Sequence, residues 1–105
     1  KSMHLNEYMH GALRFRLPSA NALYALMNLS GEVGELMSLE AKAIRDGAKS
    51  DYLQQAKKEL GDILWCLTAV ASDYNFTLED IAVGNIEKLS NRKTNNTIQG
   101  NGDDR

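Results

Sequence analysis

Apolar residues in this chain recur at helical rather than strand spacing, and the breaks between runs are chemically marked. Leu5, Tyr8, Met9 and Ala12 fall three and four apart, predicting a first helix from Leu5 to about Phe15. Leu17–Pro18–Ser19 ends it, with Ser19 as the expected cap of the second helix. From about Ala20 to Arg45 no proline intervenes. Leu26, Leu29, Leu36, Leu39 and Ala43 form a continuous stripe there, until Asp46–Gly47–Ala48–Lys49–Ser50 stops that helix. A third helix is expected from about Asp51 to Tyr74, with Tyr52, Ile63, Val70 and Tyr74 along one side. Thr77 then caps a fourth that runs to about Asn91, with Asp80 reaching back as in a capping box and Phe76 stapled onto Ile81.

No segment alternates as a strand does. The expected class is all-α: a four-helix subunit with a long antiparallel helix hairpin. One domain spans 1–105, and its polar stretch from about residue 94 is expected to be a disordered tail. At this size a subunit buries only a modest core, and many such helical chains complete theirs by oligomerising.

Two quartets break the otherwise ordinary helical chemistry. Glu32–Val33–Gly34–Glu35 and Glu59–Leu60–Gly61–Asp62 each place an acid, an apolar residue, a glycine and an acid in sequence. Glycine inside a helix costs about 1 kcal/mol relative to alanine, and acids three apart repel on a shared face. The quartets are equidistant from Gly47, so an antiparallel hairpin sets them opposite each other, each about 20 Å from the turn. At 100° per residue Glu32 falls amid Ala25, Leu29, Leu36, Leu39 and Ala43, and Glu59 is bracketed by Tyr52, Ile63, Cys66 and Val70. Both glutamates are therefore expected to face inward. Lys58, four before Asp62, is the one cation at three or four residues from any of the four acids.

Four carboxylates gathered in a partly dry site raise one another's pKa, and bound cations are the simplest relief. The set offers only oxygen, and His4 and His10 lie in the first helix, so Mg²⁺, or Mn²⁺ in its place, is favoured over zinc. A di-iron bundle would need Glu-x-x-His on two helices, a motif the chain lacks. Magnesium keeps waters and completes its shell with substrate phosphates, which points to a phosphate-bearing ligand.

Charge and cysteine content narrow the classes further. A formal charge of −2 gives no footprint for nucleic acid or an anionic membrane. No signal peptide or spanning segment is read, and the sole cysteine, Cys66, sits in an apolar run as a small buried hydrophobe. The expected location is cytoplasmic.

At the quartets the chain resembles the MazG-like nucleotide pyrophosphohydrolases of the all-α nucleoside triphosphate pyrophosphatase superfamily. The likeness rests on E-x-x-E, a gap of 23 residues and E-x-x-D. It extends through Leu5–Asn6–Glu7–Tyr8, Leu29–Ser30–Gly31, Lys58–Glu59–Leu60–Gly61–Asp62–Ile63–Leu64–Trp65, Asn85–Ile86–Glu87–Lys88–Leu89, Arg92–Lys93 and the ending Gly100 to Arg105.

The resemblance implies a homodimer or a dimer of dimers that hydrolyses a nucleoside triphosphate to the monophosphate and pyrophosphate. Glu32, Glu35, Glu59 and Asp62 take the family's metal-ligand positions, and Glu32 is preferred as proton acceptor. Asn85, Lys88 and Arg92 recur on one face and in the family reach the triphosphate, with Lys93 and Arg105 as further candidates. Trp65, one turn beyond Asp62, is a candidate base-stacking residue, ahead of Tyr8 and His10. Gly31, Gly34 and Gly61 are expected to permit close approach of helices or of a hydrated metal cluster. The competing classes are a related dUTPase-like or phosphoribosyl-ATP pyrophosphatase enzyme, and a non-enzymatic helical interaction module.

Overall fold

A computed structural model describes residues 2–95. Four helices follow one another: α1 (Leu5–Leu13), α2 (Ala22–Asp46), α3 (Tyr52–Asp73) and α4 (Leu78–Thr94), with no strand among the described residues. The all-α class read from periodicity is the class adopted. Residues 96–105, which hold most of the expected polar tail and Arg105, lie outside the described residues.

The helix ends show which local chemistry prevails. The Leu17–Ala20 segment closes as a turn, the Ala20 N–H donating to the Leu17 carbonyl at 2.9 Å. Pro18 takes the second turn position, where its fixed φ fits. That turn consumes Ser19, so the expected cap moves: Asn21 caps α2, its Oδ1 accepting from the Tyr24 N–H at 3.1 Å. Gly47, at φ 84°, ends the same helix, its N–H donating to the Ala43 carbonyl.

Asn75, at φ 63°, ends α3 in a Schellman arrangement. Its own N–H donates to the Ser72 carbonyl and the Phe76 N–H to that of Ala71, each at 2.9 Å. Thr77 and Asp80 form the expected capping box, with the Asp80 N–H on Thr77 Oγ1 at 3.0 Å. The Phe76 ring stacks on that of Tyr74, with centroids 5.8 Å apart.

α2 and α3 pack along each other, while α1 rests on α3 and on α4. Trp65 Nε1–H donates to the Ala12 carbonyl at 2.9 Å, joining α3 to α1. Asn6 Oδ1 accepts from the Glu79 N–H at 3.2 Å, joining α1 to the first turn of α4.

The buried core is made of small residues: Ala12, Ala25, Cys66, Thr68, Ala69 and Ala71, with Leu78 as its largest apolar member. Large apolar side chains instead remain open on α2 and α3. Leu23, Met27, Met37 and Ile44 recur along α2 and Leu53, Leu60, Leu64 and Leu67 along α3, with Met37 67% and Leu53 76% exposed. Each of the two long helices thus carries a second apolar stripe that no described element covers.

Candidate metal centre

Along α2 the better-covered positions are Ala25, Asn28, Leu29, Glu32, Leu36, Leu39 and Ala43. Along α3 they include Tyr52, Gln55, Ala56, Glu59, Ile63, Cys66 and Val70. These are the stripes to which periodicity assigns the two glutamates, so Glu32 and Glu59 hold positions that helical geometry would otherwise give to hydrophobes.

One carboxylate oxygen from each of Glu32, Glu59 and Asp62 lies within 4.8 Å of the others. Glu32 and Glu59 are half-buried and Asp62 is exposed. Glu35 is exposed and stands outside this trio, yet its charge still acts on Glu32.

The electrostatics follow from that crowding. Partial burial, then Asp62, Glu59 and Glu35 in that order, push the Glu32 carboxyl above the ordinary glutamate range. Burial and the negative field of Glu32 and Asp62 likewise raise the Cys66 thiol, which is buried as the sequence predicts. On α1, the Tyr8 phenol is raised by burial, then by Asp62 and Cys66.

Three carboxylates with oxygen-only donors suit a hard divalent cation, whose charge reverses the repulsion that raises Glu32. A Cβ added at Gly31, Gly34 or Gly61 would meet nothing within 4 Å, so close helix approach inside this subunit does not require them.

The remaining described site candidates lie on α4 and farther along α3. Asn85 is exposed, Lys88 half-buried, Arg92 buried and Lys93 exposed. All four belong to α4, which docks on α1, whereas the acid trio sits between α2 and α3. Trp65 is half-buried, with its indole N–H committed to Ala12.

Two residues that sequence reasoning passes over lie on α2 within about two turns before Glu32. Asn28, four residues before Glu32, donates from Nδ2 to Cys66 Sγ at 3.5 Å. Tyr24, four residues earlier still, lines a cleft with Asn28 and Trp65. Their spacing from Glu32 is the signal the sequence offers.

No helix among the described residues is long and apolar enough to cross a membrane. The family model for the MazG nucleotide pyrophosphohydrolase domain matches residues 21–97. The chain is also similar to the Gene 37 protein of Mycobacterium phage L5, 34% identical over 87 residues that cover 78% of this chain and 75% of the phage protein. No solved structure matches. The matched span takes in most of the chain and both acid pairs, and the chain belongs to the MazG nucleotide pyrophosphohydrolase domain family.

Proposed function

We propose that this protein is a Mg²⁺-dependent pyrophosphohydrolase that converts a nucleoside triphosphate to the monophosphate and pyrophosphate, clearing unwanted nucleotides from the pool. One observation carries the reading: Glu32, Glu59 and Asp62, from two different helices of a MazG-family chain, bring their oxygens within 4.8 Å of one another. The cross-helix contacts run from Glu40–Tyr52 through Glu32–Glu59 and Asp62 to Asn28–Cys66, falling along α2 as they rise along α3. That order supports an antiparallel hairpin with the acid pairs opposed.

In this reading Glu32, Glu35, Glu59 and Asp62 hold the metal, with Mn²⁺ as a substitute. When bound, the ion polarises phosphate oxygens and lowers the pKa of the attacking water. Glu32, half-buried beside the other acids, is the proposed acceptor of a proton from that water. Asn85, Lys88, Arg92, Lys93 and Arg105 form the proposed triphosphate-binding set. The uncovered stripes on α2 and α3 fit a second copy of the chain, as a homodimer or homotetramer, which would also complete the core.

The test is pyrophosphate release from a panel of dNTPs and NTPs, with and without Mg²⁺, repeated with Glu35→Gln and Glu59→Gln. Metal-dependent release that falls by more than about tenfold in the variants is expected. Release of orthophosphate alone, or turnover unaffected by both substitutions, would refute the proposal.

A further inference from the structure

We propose that Asn28 reads the hydrogen-bonding edge of the nucleotide base, in the cleft that Tyr24, Phe15 and Trp65 wall beside the acid trio. The choice of ligand rests on the pyrophosphohydrolase reading; the residue and the cleft come from the geometry.

The cleft has a volume of about 370 Å³, within the range of small-molecule sites. Three aromatic rings line it, and a planar base can stack on any of them. Trp65 is the platform whose orientation is set, because its Nε1–H is tied to the Ala12 carbonyl.

Register places the cleft next to the phosphate chemistry. Asn28 stands one helical turn before Glu32 on α2, and Trp65 stands just under one turn after Asp62 on α3. A base lying between them would direct its sugar and phosphates toward the trio.

The Asn28 amide has hydrogen-bonding capacity left to use. One Nδ2 hydrogen goes to Cys66 Sγ, a weak acceptor, which anchors the side chain. Among the described residues the second Nδ2 hydrogen and Oδ1 remain, one donor beside one acceptor, the pattern an amide uses to bond two adjacent atoms of a base edge. Asn28 is half-buried, so a base that fails to match leaves this amide poorly satisfied, and discrimination results.

The experiment uses the single tryptophan of the chain. In two-dimensional proton–nitrogen NMR of the full chain, the indole N–H signal of Trp65 is followed while adenosine, cytidine, guanosine and uridine are added without metal. At least one nucleoside should shift the signal.

Asn28→Asp, which keeps the acceptor and loses the donor, should change the affinity ratio between amino bases and keto bases by about tenfold. Inorganic pyrophosphate should leave the signal in place. An indole signal unmoved by every nucleoside, an equal loss for all four in the variant, or a signal that responds only to protein concentration would each overturn the proposal; the last would assign the cleft to a second copy of the chain. Nucleoside binding with the expected selectivity but no pyrophosphate release would leave Asn28 in place and remove the hydrolase.

Discussion

Arg16 and Asp73 meet through two parallel hydrogen bonds, Nη1 to Oδ1 at 2.9 Å and Nη2 to Oδ2 at 3.0 Å, across the gap between the α1–α2 loop and the end of α3. The same guanidinium donates from Nε to the Ala20 carbonyl at 2.8 Å and from Nη1 to that of Ala69 at 3.3 Å. With the two side chains 15% and 23% exposed, this is a largely covered fork that fixes the loop carrying Phe15 and Ala20. Arg16→Ala should lower stability by about 2 kcal/mol in urea unfolding. Arg16→Lys should recover only part of that, since an ammonium cannot reproduce the planar fork.

A second prediction concerns pH. The Glu32 carboxyl is raised above its ordinary value of 4.5, so the folded chain holds this proton more tightly than the unfolded one. As pH climbs from that ordinary value through the raised one, ionisation works against folding. Metal-free Glu32→Gln should therefore be more stable than the wild type at pH 7 and lose that advantage near pH 4. Added Mg²⁺ should stabilise the wild type at pH 7 far more than the variant, because binding to the folded state alone adds stability. Thermal melts of both proteins, with and without metal, check the sign.

The uncovered stripes give a third. If a second copy covers them, Met37→Lys combined with Leu53→Lys places two charges in a dry interface and should shift the protein to monomer by light scattering. The same pair should lower the melting temperature, because the subunit's own core contains so few large residues.

Gly84 gives a fourth. It lies within α4, is exposed, and an added Cβ would meet nothing within 4 Å. Gly84→Ala should stabilise by about 1 kcal/mol from helix propensity alone, seen as a higher urea midpoint with unchanged slope.

Much of the fold is legible in the sequence because its signals are local. Gly47 and the Thr77–Asp80 box require only neighbouring residues, and 100° per residue is enough to put Glu32 and Glu59 on the covered faces. The Asn21 cap escapes such a reading because two adjacent signals compete, and the Pro18 turn claims Ser19 first.

At the site, periodicity assigns a face but not which oxygens meet. Acids three residues apart differ by about 60° around the axis. Asp62 joins the trio from an exposed position, and Glu35, also exposed, does not. The Asn28–Cys66 contact depends on how two helices lie against each other, and neither residue has a motif of its own.

The ties from α1 and its loop reach α3 at Trp65, Ala69 and Asp73, all beyond Asp62. Toward Gly47, among the described residues, the two long helices pack chiefly on each other, with Tyr52 donating to Glu40 near the tip. The acids thus sit at the root of a cantilever. In the Met37→Lys, Leu53→Lys monomer, backbone amides should exchange with deuterium slowly around Cys66 and increasingly fast from Ala41 to Ala56, so opening begins at the tip and the acid trio lies where that fraying stops.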